Sequence, residues 1–91
     1  MRKNIEMRKV AVHLKNGAPW EYLYVVDADR LLEQYSGDNG FEAASLISDV
    51  RAAADKYEQD GCKSAEVPVL RVLADSVEMY NEIPIFISIR V

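Results

Sequence analysis

One cysteine and one histidine, Cys62 and His13, leave this sequence unable to form an intramolecular disulfide or a zinc site of three or four Cys/His ligands. A reducing, cytoplasmic setting is the expectation. The four glycines are dispersed, with neither a phosphate-cradling loop nor a dinucleotide fingerprint. No apolar run approaches the roughly 20 residues that span a bilayer. The charged start Met1-Arg2-Lys3-Asn4-Ile5-Glu6 also lacks the apolar centre of a signal peptide. A soluble chain, unprocessed at its N-terminus and with no membrane partner, is expected. No serine or cysteine stands where it would make His13 a catalytic base, and a solvent-facing strand histidine is the simpler reading. Cys62, between Gly61 and Lys63, has no setting of a reactive nucleophile. No catalytic residue, cofactor or metal ligand is assigned, and the chain is not expected to be an enzyme.

What is present suits one small domain. The 91 residues are 49% hydrophobic and 29% charged, an ordinary globular balance, so residues 1–91 are expected to form a single domain around one core. The net charge of −4 hides an asymmetry. Residues 1–15 hold five Lys/Arg against one acid, and residues 16–91 hold six against fourteen. Such an acidic body is repelled by nucleic-acid phosphate unless its basic groups gather on one face. Met1-Arg2-Lys3 recurs as Met7-Arg8-Lys9, a coincidence or an alternative start, and no longer repeat stands out.

Residues 8–14 alternate Arg8, Val10, Val12 and Leu14 with Lys9, Ala11 and His13, as in a half-buried strand. Asn16-Gly17, lengthened by Ala18-Pro19, favours a hairpin turn into a second strand, Trp20 to Asp27. That strand is apolar on both faces: Trp20, Tyr22, Tyr24 and Val26 on one, Leu23 and Val25 beside Glu21 and Asp27 on the other. If Val10, Val12 and Leu14 mark the core side, Leu23 and Val25 join them and the aromatic set faces outward; the inverse register stays open.

Asp27 or Asp29 caps a short helix through Tyr35, with Leu31, Leu32 and Tyr35 inward. Ser36 to Gly40 breaks it, and Asn39 with Glu42 has the spacing of a capping box for a second helix. There Leu46, Val50, Ala53 and Tyr57, widened by Ala43, Ile47 and Ala54, form the apolar stripe. Glu42, Asp49, Lys56 and Gln59 take the polar side, and Gly61 is the residue just past the end. From Ala65 to Glu82, Arg71, Asp75, Glu78 and Glu82 alternate with Leu70, Leu73, Val77 and Tyr80 at helical spacing, with Pro68 confined to the first turn. Past Pro84, Ile85, Ile87, Ile89 and Val91 alternate with Phe86, Ser88 and Arg90 in a terminal strand.

The expected architecture is α+β in two layers: a three-stranded antiparallel sheet, made of an N-terminal hairpin and a C-terminal strand, with about three helices in the order ββαααβ. Helices on one side leave the second sheet face to Trp20, Tyr22, Tyr24 and Phe86 among Lys9, His13, Lys15 and Arg90. That face is the expected partner-binding site. Its rings suit a protein partner or self-association. Single-stranded nucleic acid stacked on a basic, aromatic sheet is the alternative, although the RNP motif is absent. Asp27 with Asp29 reads as helix capping rather than a metal pair, and Ser36 to Glu42 lacks the alternating acids of a calcium loop. Asp49, Asp55, Glu58, Asp75, Glu78 and Glu82 could imitate phosphate spacing, but such a run is more often a solvated face, here diluted by Lys56 and Arg71. A small, acidic chain without catalytic motifs fits an inhibitor or adaptor, such as the anti-defence proteins of phages and mobile elements, anti-CRISPR proteins among them.

Overall fold

A computed structural model describes residues 11–14, 21–61 and 66–90. Lys9, Lys15, Trp20, Cys62, Ala65, Val91 and the Asn16-Gly17 turn lie outside the described residues. The elements are β1 (Ala11–Leu14), β2 (Glu21–Val26), α1 (Ala28–Gln34), β3 (Ser36–Gly37), β4 (Gly40–Phe41), α2 (Ala43–Gln59), α3 (Glu66–Tyr80) and β5 (Phe86–Arg90). The fold is α+β, with three helices among the described residues. Antiparallel strands run in the order β1-β2-β5, and β3 and β4 form a separate two-stranded ladder. With that small ladder, the order among the described residues is ββαββααβ rather than the expected ββαααβ.

Local chemistry explains the ladder. Gly37 pairs with Gly40 across Asp38-Asn39, and Gly40 has φ +95°, the conformation that follows the turn in many tight hairpins and that side chains resist. Asn39 is thereby used in the turn and does not cap α2, correcting the capping-box expectation. Glu42 is the N-cap, without a side-chain cap hydrogen bond, and its backbone N–H donates to the Tyr35 carbonyl at 2.6 Å. The Glu42 carboxylate folds back on β3, where a Cβ at Gly37 would come within 2.5 Å of Oε1. At α1, the Asp27 carboxylate accepts from the Arg30 N–H at 3.1 Å, so Asp27 rather than Asp29 is the cap. Leu31 and Tyr35 are buried, but Leu32 is 45% exposed and does not point inward as expected. Leu31 and Leu32 diverge by about 100° around a helix of 3.6 residues per turn, so this narrow helix buries only one of them.

The α2–α3 pair supplies most of the core. Leu46, Val50 and Ala54 of α2 meet Leu70, Leu73, Ala74 and Val77 of α3, all buried. Pro68 is the third residue of α3, where its missing N–H disrupts no helical hydrogen bond. Gly61, at φ +79°, follows α2 as expected and donates to the Glu58 carbonyl. Two residues depart from their expected sides. Tyr80, predicted inward, is 69% exposed in the last turn of α3. Asp49, predicted on the polar side, is buried and accepts a 2.6 Å hydrogen bond from the Tyr35 hydroxyl. Burial, reinforced by that bond and by the carboxylate's charge, pushes the Tyr35 phenol above the ordinary tyrosine range.

Two arginines tie the helices together. Arg51 of α2 reaches Asp75 and Glu78 of α3 at 3.2 and 3.1 Å, and Arg71 of α3 reaches Asp55 and Glu58 of α2 at 3.1 and 2.9 Å. This reciprocity requires antiparallel helices and exposes a repeat that inspection of the sequence missed. Arg51, Ala54, Asp55 and Glu58 recur twenty residues later as Arg71, Ala74, Asp75 and Glu78.

The sheet inverts the expected assignment. The register sets Val12 opposite Val25, Leu14 opposite Leu23, and His13 opposite Tyr24, the grouping anticipated for the hairpin. Yet Tyr24 is only 7% exposed and Val26 is buried, both in the core, whereas Leu23 and Val25 are half-buried. The buried set is the face of β2 that carries no charge; the other set shares its face with Glu21 and Asp27, whose desolvation would be costly. In β5, Ile87 opposes Tyr24 and is buried, while Phe86 opposes Val25 and is 62% exposed. Ile85, expected on the core side with Ile87, is exposed just before β5.

Candidate docking groove

Two members of the expected aromatic face part company: Tyr24 and Phe86 occupy opposite faces of the sheet. Tyr22 stands opposite Ile89 and Arg90 opposite Glu21 in the register; Trp20, Lys9 and Lys15 lie outside the described residues. Large apolar side chains are exposed at Val72, Met79, Tyr80, Ile85 and Phe86, and at Leu32, where α1 meets the segment joining α3 to β5. A groove of about 300 Å³ is lined by Ala28 and Leu32 of α1, Phe41 of β4, and Asn81, Glu82 and Ile83 after α3. Phe41 and Ile83 are half-buried and packed against the core, which anchors that part of the lining.

The lining has local causes. Asn81 takes φ +54° at the end of α3 and donates its N–H to the Val77 carbonyl, which turns the chain along the groove toward Pro84 and β5. The Val26 N–H donates to the Ile85 carbonyl at 2.8 Å, holding that segment beside the start of α1. Ser36 Oγ donates to the Leu32 carbonyl at the end of α1. The volume lies at the low end for ligand pockets, about 300–1,000 Å³, a size for one or two side chains rather than a large cofactor.

The charge around the groove differs from that between the long helices. Asp55, Glu58, Asp75 and Glu78 each face an arginine. Glu82, which lines the groove, has no basic partner among the described residues. A broader depression of about 550 Å³ on α2 is lined by Ala44, Ser48 and Ala52 with the Arg51 clasp, whose charges are already matched.

Among the described residues, no group of three or more His, Cys, Asp and Glu side chains is placed to hold a metal. No described helix is long and apolar enough to cross a membrane. No known family, curated protein or solved structure matches this chain.

Leu32, Phe41 and Ile83 were not singled out from the sequence as a site. One signal was available: a two-turn helix carrying adjacent Leu31 and Leu32 must expose one of them. That Phe41 and Ile83 would meet it depends on the β3–β4 turn and the Asn81 bend.

Proposed function

We propose that this protein acts by binding another protein, as an inhibitor or adaptor that occupies its partner's surface without chemistry of its own. The observation that carries the reading is the 45% exposure of Leu32 in a groove also lined by half-buried Phe41 and Ile83. An open apolar groove is the kind of surface that anchors a partner side chain. The groove replaces the aromatic sheet face as the proposed site. Burial of Tyr24 also removes a ring on which the nucleic-acid alternative relied.

Leu32→Glu tests the reading, because the position is exposed and glutamate is a good helix former. The variant should keep its urea midpoint while losing a protein that the wild type retains from the source cell, together with the biological effect. His13→Ala and Cys62→Ser should keep both. Unchanged capture and effect in Leu32→Glu would refute the groove as the site, and loss of effect in folded His13→Ala or Cys62→Ser would count against a function without catalysis.

A further inference from the structure

We infer that the outer edge of β5 pairs with β5 of a second copy of this chain, antiparallel about a two-fold axis at Ser88, so that the two sheets continue into one. This contact does not involve the groove beside α1.

The backbone phase defines the edge. β5 stands last in the order β1-β2-β5, so one of its sides has no described strand beside it. The Val26 N–H donates to the Ile85 carbonyl, and in an antiparallel ladder alternate residues bond to the same neighbour. With Tyr24 opposite Ile87 and Tyr22 opposite Ile89, residues 85, 87 and 89 therefore turn their N–H and C=O groups toward β2, and residues 86, 88 and 90 turn theirs the other way. The strand lacks the devices that discourage edge pairing. Pro84 stands before it, its register with β2 runs without a bulge from Phe86 to Arg90, and Arg90 is the only charge in residues 83–91.

The sequence of β5 is complementary to its own reverse. A two-fold axis at Ser88 sets Phe86 opposite Arg90, and Ile87 opposite Ile89, of the other copy. Phe86 and Arg90 then exchange both of their outward backbone hydrogen bonds, β-branched residues meet β-branched residues, and the one charge lies across from a ring rather than from its like. An in-register parallel pair would instead set Arg90 beside Arg90.

Apolar surface next to the edge extends the contact. Of the six large apolar side chains exposed among the described residues, five are Val72, Met79 and Tyr80 of α3 together with Ile85 and Phe86. α3 is the helix packed on β5. Its Arg71, Asp75 and Glu78 engage α2, and Val72 and Met79 lie about 100° further round the helix, turned away from α2. A five-residue edge is small beside the about 1,200–2,000 Å² that stable pairs bury, and these side chains add the apolar area it needs.

The test follows the mass of the full chain by light scattering and its backbone amides by NMR from about 10 μM to about 1 mM, the range in which a small interface associates. The mass should rise toward that of two chains. The Phe86 and Arg90 amides should exchange with solvent more slowly as concentration rises, and the Val72 and Met79 signals should move with them. Phe86→Pro removes an outward N–H without breaking a bond to β2, so it should weaken association about tenfold while keeping the urea midpoint in dilute solution. Phe86→Lys and Phe86→Glu both remove the ring, but the first sets a like charge opposite Arg90 and the second an opposite one. The glutamate variant should therefore associate severalfold more tightly than the lysine variant. Leu32→Glu should leave the equilibrium unchanged. A chain that stays single across the whole range overturns the inference, and so do equal affinities of the lysine and glutamate variants. Folded Phe86→Pro that associates like the wild type overturns it as well, as does concentration-dependent movement confined to the Leu32, Phe41 and Ile83 signals, which would assign self-association to the groove.

Discussion

The α2–α3 pair and the three-stranded sheet bury apolar residues in the same core, yet they differ in how strongly their sequences specify what points inward. In the helices, a 3.6-residue period separates Leu70, Leu73 and Val77 from Arg71, Asp75 and Glu78, and the buried residues follow that stripe. In β2, both faces are apolar, and the choice between Tyr24 and Leu23 rests on which neighbours carry charge. A helix with one apolar stripe has one good way to pack; a strand with two apolar faces has two. The helices also match their charges internally through Arg51 and Arg71, whereas Glu82 in the groove beside α1 is unmatched among the described residues.

The sheet assignment offers the sharpest test of this contrast. Tyr24→Ala should cost about 3–5 kcal/mol in urea denaturation, as for other buried aromatics, and Phe86→Ala only about 0.5 kcal/mol. Reversed costs would restore the outward aromatic face and break the comparison.

A smaller effect is expected where α1 meets α2. Tyr35→Phe leaves the buried Asp49 carboxylate without the phenol's hydrogen bond and should cost about 1–3 kcal/mol at neutral pH. The pH dependence has a definite sign. Because the folded-state phenol is held above the ordinary value near 10, its contribution is complete below that pH and is lost as pH rises beyond it. Wild-type stability should therefore fall more steeply above about pH 10 than that of Tyr35→Phe, and ultraviolet titration should show a tyrosine that ionises late. A Tyr35 signal titrating with exposed tyrosines would contradict the buried pairing.

The arginine clasps should matter least. Their side chains are about two-fifths exposed and their acidic partners more so, and exposed ion pairs are screened by water and salt. Arg51→Ala and Arg71→Ala should each lower stability slightly at low ionic strength and have no measurable effect in molar salt. A large, salt-independent loss would show that the arginines act through packing of their stems rather than charge.

Much of the architecture was legible along the chain. Leu46, Val50 and Ala53 predicted the inner side of α2, Gly61 its end, and the pair Asp27 or Asp29 the start of α1, because each depends on neighbours within one or two turns. The errors have separate physical causes. Asn39 has the spacing of a cap, but Gly40 draws it into a hairpin turn. Asp49 fits the polar side of α2, but the Tyr35 hydroxyl, fourteen residues away, gives it a buried partner. Tyr80 fits the inner stripe of α3, but it lies in the last turn and is exposed.

By itself the sequence determined three helices, an antiparallel hairpin with a C-terminal strand, and an acidic body without the motifs of metal or nucleophile chemistry, because periodicity and residue type act locally. Tertiary structure decided which face of β2 is buried, how Arg51 and Arg71 exchange partners between helices, and that Leu32, Phe41 and Ile83 converge on one groove. Those outcomes depend on which distant surfaces meet when the core closes, and burial of a charge-free face at the expense of a charged one is a competition that no single segment contains.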